Sequence, residues 1–166
     1  MNPASPTLRP ATPADAGVAL SWSPGVEALR RWSGWNTRHP ATPESLWEDV
    51  ATAGYTTFAL ESAGDGMIGF GQVRFREEKF GHLARIIVSP HHRGKGLGRV
   101  LCTALMREAI TLNPAIGAYS LYVYDSNSTA ISLYLSLGFA DAGRHPDFPD
   151  VILMIRDVAP VSDWRI

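Results

Sequence analysis

The stretch Arg93-Gly94-Lys95-Gly96-Leu97-Gly98-Arg99 stands between an apolar run at 83–88 and an amphipathic run from 97 to about 110. Strand, glycine turn, helix is the order it predicts. Three glycines in five residues remove the side chains that would hold a ligand off the main chain. Successive N–H groups can then turn towards an anion at the helix start. A helix N-terminus carries about half a positive charge, and Arg93, Lys95 and Arg99 add three full cations around it. A pyrophosphate fits such a loop. Glycines that only tighten a strand-to-helix turn, with cations solvating it, would leave the same composition, so the spacing has to decide.

The Walker pattern needs Gly-Lys followed by Ser or Thr, and no hydroxyl residue follows Lys95. The dinucleotide fingerprint G-x-G-x-x-G also fails, because Gly94, Gly96 and Gly98 alternate. A nucleotide-binding protein of another fold is therefore disfavoured. What does fit is R-x-x-G-x-G from Arg93 to Gly98, preceded by Val88-Ser89-Pro90. This resembles the acetyl-CoA loop of the GCN5-related N-acetyltransferase superfamily, in which backbone amides and the leading Arg or Gln hold the coenzyme's pyrophosphate. The resemblance implies a cofactor role for Arg93, Gly94, Lys95, Gly96, Leu97, Gly98 and Arg99.

At 166 residues the chain suits one core-bearing domain and is short for two. The expected division is an acceptor-side segment, 1–54, and an acetyl-CoA-binding core, 55–158. A net charge of −1 with 45% hydrophobic residues is globular composition and lacks the basic face of a nucleic-acid binder. Cys102 is the only cysteine, which excludes an intrachain disulfide and favours a reducing compartment. Its neighbours Leu101 and Leu105 predict a packed thiol. No run reaches the ~20 apolar residues of a membrane span, and the first ten residues lack an apolar signal core. The expectation is a soluble cytoplasmic protein with no metal, nucleic-acid or membrane partner. Pairing at an exposed sheet edge would make it a homodimer.

Along the chain, 8–11 reads as a short strand, and Thr12-Pro13-Ala14-Asp15 as the start of a helix to about 20. A short helix at 26–32 lies in an irregular, tryptophan-bearing segment, and Thr42-Pro43-Glu44-Ser45 begins another, to about 53. Strands at 55–61 and 67–76 flank the turn signal Ser62-Ala63-Gly64-Asp65-Gly66. After the glycine loop and its helix come a strand at 118–124, a helix at 127–137 ended by Gly138, a strand starting at Phe139-Ala140 and a last strand at 151–157. A hairpin followed by strand–helix–strand units predicts an α/β fold around a mixed sheet with helices on its faces.

Asn127, Ala130, Leu133-Tyr134 and Leu137-Gly138-Phe139 resemble the N-x-x-A-x-x-L-Y-x-x-x-G-F signature of the same superfamily. The likeness is strong over 55–155 and weak before it. It implies a mostly antiparallel sheet that splays between its fourth and fifth strands, here 82–89 and 118–124. It also implies that the pantetheine arm bonds the fourth-strand main chain, at Ile86 and Val88, as an added strand would. The activity implied is transfer of an acetyl group from acetyl-CoA to a primary amine of a small molecule or peptide, by direct attack. A non-catalytic acyl-CoA-binding module would keep the loop and discard the proton-transfer groups.

Acetyl transfer to an amine needs that amine neutral and a proton for the departing thiolate. Tyr134 lies seven residues after Asn127, nearly two helical turns, so both share a helix face. Family members use the matching Tyr as the acid, and a phenol of pKa about 10 keeps its proton at neutral pH. Asn127 is expected to hold the coenzyme or cap the helix. Where many relatives carry a fifth-strand Glu, this chain has Tyr122, a poor base. Histone-type relatives place a Glu eleven residues before the loop's leading Arg or Gln, and that position is His82. An imidazole near pKa 6.5 suits amine deprotonation. Glu77 and Glu78 read as solvated, His91 and His92 as exposed on the loop, and His145 as a further lining residue. By resemblance, the segment holding Trp22, Trp32 and Trp35, with the 144–149 loop, walls the acceptor pocket, and core filling is the expected role of at least one of the three tryptophans. Arg74 or Arg76 could pair with a substrate carboxylate.

Overall fold

A computed structural model describes residues 5–158. Seven strands run β1 Thr7–Pro10, β2 Tyr55–Ser62, β3 Gly66–Arg76, β4 Phe80–Val88, β5 Ala118–Tyr124, β6 Ala140–Arg144 and β7 Val151–Asp157. Five α-helices are α1 Pro13–Ser21, α2 Gly25–Ser33, α3 Pro43–Val50, α4 Leu97–Leu112 and α5 Ser128–Ser136. Thr12 and Thr42 start α1 and α3 with proline in the first turn, and the Thr42 hydroxyl accepts from the Ser45 amide. Element bounds follow the sequence reading to within a few residues. α3 stops at Val50 rather than near 53, and β4 begins two residues before His82.

The strands form one sheet in the order β1-β2-β3-β4-β5-β7-β6. Every pairing is antiparallel except β4 with β5, which α4 connects by a crossover. Period-two alternation sends neighbouring side chains to opposite faces. Val73, Leu83, Leu121 and Met154 meet α4 and α5, where Leu101, Leu105, Met106 and Tyr134 are buried. Phe70 and Ile87 instead join Ala16, Leu29, Leu46 and Val50 of α1–α3. Gly71 lets α4 lie tight on β3, since a Cβ there would stand 2.6 Å from Leu105 Cδ1. Among the described residues no helix is long and apolar enough to cross a membrane.

The feature that makes a site is an interrupted pairing. β4 meets β5 only from Phe80–Ala118 to Leu83–Leu121, and beyond those residues the two strands part. At the same place the β3–β4 register slips between Phe70 and Gln72, leaving Arg85 and Ile86 opposite the single residue Gly71. Arg85 takes φ 51°, a left-handed conformation that costs a non-glycine residue roughly 1 kcal/mol or more. Three contacts hold it: Nε donates to Ser33 O at 2.9 Å, Nη1 to Gln72 Oε1 at 2.8 Å, and the guanidinium lies 4.6 Å from the centre of the Tyr55 ring. The bulge bends β4 away from β5 and the gap opens.

Candidate active site

Beyond the gap, β4 leads into the glycine loop. Gly94 and Gly96 have φ of 74° and 77°, and a Cβ on either would meet nothing within 4 Å. The structure thus supplies the conformational reason for glycine and leaves open space over the main chain. The first amides of α4 have no intrahelical acceptor, as at any helix start. Lys95 is exposed beside them. Arg93 Nε donates to Val88 O at 3.2 Å, tying the loop to the end of β4. Arg99 Nη2 reaches Ser136 Oγ at 2.6 Å, joining α4 to α5. Gly98 has a different reason to be glycine: its Cβ would stand 2.9 Å from Leu133 Cδ2, so it brings the two helices close. Free amides, three cations and bare glycine main chain form a fit for a pyrophosphate.

Main-chain groups facing the gap follow from the ladder. Ser89 N donates to Ile68 O at 2.9 Å on the β3 side. Alternation then points Ile87 to β3 as well and turns Val88 towards the side that β5 has left, while Ile86 stands in the bulge, where the pairing with β3 is interrupted. Val88 and Ile86 are the two positions expected to bond a pantetheine arm.

Tyr134, in α5, is 7% exposed and packs edge-on to Phe139 at 6.1 Å between ring centres. Burial, with a small addition from Cys102, raises its pKa above that of a free phenol, so it stays a proton donor at every working pH. Cys102 is the packed thiol the sequence predicts, and burial pushes its pKa up to about 12. Asn127 caps α5, its Oδ1 accepting from Ala130 N at 3.4 Å.

His82 departs from its expected surroundings. It is not an imidazole near pKa 6.5 but a buried one, 6% exposed, with Nδ1 2.8 Å from Ser120 Oγ. Burial first, then the charges of Arg76, Arg74 and Arg85, push its pKa down to about 3. The imidazole is neutral at physiological pH and gives up little on staying so. Its ring lies 5.2 Å from that of Tyr122, which stands 4.7 Å from His145. His145 and Trp35 both pack on Phe148, at 4.9 and 4.1 Å.

This aromatic row joins the α2–α3 connection to the β6–β7 connection across the sheet. Trp35, 52% exposed, stands in this row. Trp32 fills the core instead: it is edge-on to Phe70 at 5.7 Å, with its indole N–H bonded to Ser23 Oγ, and Trp22 packs against the same cluster. Glu77 and Glu78 are exposed in the β3–β4 turn at φ 52° and 56°. His91 is exposed, whereas His92 is half-buried with Nε2 3.5 Å from Asp65.

A small cleft of about 90 Å³ opens on this face, lined by Arg76, Glu77, Phe80, Ser120, Tyr122, Leu153 and Ile155. A wider, shallow depression lies far off by Ser5, Thr7 and the β2–β3 turn, where Glu61, its one titratable residue, is already paired with Arg9. The smaller opening is the one beside His82, since Ser120, which lines it, bonds the imidazole. Sequence reasoning missed Arg85 and Tyr55, although a lone cation inside Leu83-Ala84-Arg85-Ile86-Ile87 was a signal of a special position.

Comparison with known proteins agrees with this geometry. The model of the acetyltransferase (GNAT) family matches residues 26–139. A mycothiol acetyltransferase of Salinispora arenicola is 30% identical over 85% of this chain and 46% of its own length. The chain spans between 27% and 46% of the length of three curated relatives that it matches. Among solved structures, the Vibrio cholerae spermidine N-acetyltransferase in complex with CoA and spermine superposes with a TM-score of 0.72 at 21% identity, covering 92% of this chain and 95% of that one. The Escherichia coli ribosomal-protein-S18-alanine N-acetyltransferase gives 0.67 at 22% identity, covering 98% and 99%.

Proposed function

The chain belongs to the acetyltransferase (GNAT) family, and from that premise we propose that it is an acetyl-CoA-dependent N-acetyltransferase acting on a primary amine of a small molecule or peptide. The observation that carries the reading is the parting of β4 from β5 within the same β–α–β unit that holds the open Gly94–Gly96 helix start. The amides of Gly94 to Arg99, with Arg93 and Lys95, hold the pyrophosphate. Ile86 and Val88 present main-chain groups to the pantetheine arm, and Asn127 fixes the start of α5 beside it. Bound there, acetyl-CoA supplies an acetyl group activated as a thioester.

Tyr134 holds its proton on Oη for the departing sulfur, because burial makes the phenolate form too costly to reach beforehand. His82 serves as a neutral hydrogen-bond acceptor that orients the amine, with Nδ1 fixed on Ser120. An imidazole whose pKa lies near 3 does not itself store the amine's proton, which passes to water. This replaces the titrating base that the sequence suggests at this position.

The test is release of free CoA thiol and appearance of acetylated amine, followed by mass spectrometry, with wild type and Tyr134→Phe. The variant keeps the ring and deletes the donor, so kcat should fall about 10²-fold with acetyl-CoA affinity nearly unchanged. Equal kcat values, where chemistry limits the rate, would remove Tyr134 from the reaction. Tight acetyl-CoA binding with no acceptor turned over would instead mark an acyl-CoA-binding module.

A further inference from the structure

Arg74, Arg76 and Arg85 lie on the sheet face that carries α1–α3, Arg85 against the end of α2 and Arg74 exposed beyond it. Alternation puts Arg74 and Arg76 on one face of β3, and Arg74 lies directly across from His82 of β4 and Tyr55 of β2. Their partners are all uncharged. Arg74 Nη1 donates to Tyr55 Oη at 3.2 Å, Arg76 Nη1 to Tyr122 Oη at 2.9 Å, and Arg85 to Ser33 O and Gln72 Oε1. None of the three forms an ion pair among the described residues, whereas Arg9, Arg38 and Arg144 all do. Asp49, whose charge reaches Arg85, is bonded to Arg38. Glu77 lines the cleft with Arg76 without pairing to it.

Three guanidiniums without a carboxylate partner, of which Arg76 lines one small cleft together with Glu77, make a field that favours an anion and opposes a further cation. The cleft, about 90 Å³, suits a carboxylate or phosphate group and is too small for an extended polyamine chain. The same field repels the ammonium form of an amine held near His82, which helps present that amine neutral. Trp35 and Phe148 offer an apolar surface farther along the row.

Resting on the acetyltransferase reading above, we propose that the acceptor is a primary amine that also bears an anionic group, a carboxylate or a phosphate, seated on Arg74 and Arg76. The amine nitrogen takes the acetyl group, CoA leaves as thiol, and the anionic group is unchanged.

The test compares kcat/KM for matched acceptors: phenylalanine with phenethylamine, phosphoethanolamine with ethanolamine, and spermidine as the cationic case. At least one anionic member should exceed its neutral partner by tenfold or more, and which pair shows it separates carboxylate from phosphate. In Arg74→Gln and Arg76→Gln that ratio should fall towards one, through KM more than kcat. A second measurement needs no turnover: calorimetry of N-acetylphenylalanine, N-acetylphosphoethanolamine and their neutral counterparts against the CoA-loaded protein. An acidic product should bind at least tenfold tighter than its neutral partner in wild type and lose that margin in the variants. Preference for neutral amines or spermidine, or no margin between the acetylated products, would overturn the proposal. In that event, continued acetyl-CoA binding and thiol release would leave the acetyltransferase reading standing, whereas loss of acetyl-CoA binding by wild type would end both.

Discussion

His82 carries a consequence for stability that does not depend on catalysis. Its folded pKa of about 3 lies below the ordinary 6.5, so between those values the unfolded chain binds more protons than the folded one. Stability is then present above about pH 6.5 and lost as pH falls towards 3, at up to ~1.4 kcal/mol per pH unit. Denaturant midpoints measured at pH 7 and pH 5 should drop more for wild type than for His82→Gln, which has no proton to gain there. Parallel losses in the two proteins would show that the imidazole is not held in this way. The same burial removes His82 as the source of any rise in kcat/KM near pH 6–7. The sequence could place His82 on the fourth strand, but not say that three arginines from two strands would surround it. Two of them, Arg74 and Arg76, read as strand-end cations, and only the pairing of β3 with β4 brings them to the imidazole.

At the scale of elements, α4 and β3 pack so closely that a methyl group is decisive. Gly71 sits opposite the Arg85–Ile86 bulge, and its absent Cβ leaves the room that fully buried Leu105 fills. Gly71→Ala should therefore destabilise the fold by about 1–3 kcal/mol through overpacking, read as a lower Tm. An unchanged or raised Tm would mean that α4 can shift off the strand. Elements of this kind were largely legible: β5 and β7 fall on the residues read as strands, and the caps at Thr12 and Thr42 mark α1 and α3. The glycine loop was legible too, since residue type alone encodes φ > 0 and a bare main chain. What the sequence did not contain was the bulge, because Arg85 adopts a left-handed conformation for which no glycine signals. Its stability comes from Ser33, Gln72 and Tyr55, partners from three other elements.

For the molecule as a whole, the arrangement has a division of labour. α4 and α5 cover one face and bring the glycine loop and Tyr134 together, while α1–α3 cover part of the other and leave the cleft beside Arg76 at its end. The gap between β4 and β5 connects the two sides. In the proposed reaction, coenzyme is held from the first side and the acceptor amine approaches from the second. The mixed sheet was expected from the order of strands and helices and its splay from the family resemblance, and the observed pairing bears them out. The acceptor side was the less legible part, because its walls come from segments distant in sequence. The most direct measurement is a calorimetric titration of acetyl-CoA into wild type and Gly96→Ala. The methyl group added by that substitution would meet no protein atom within 4 Å and so can obstruct only a ligand or the left-handed turn itself. One-site binding by wild type, weakened at least tenfold, or about 1.4 kcal/mol, in a folded Gly96→Ala protein, is the predicted result. No binding by wild type, or equal affinity in the two proteins, would contradict the account.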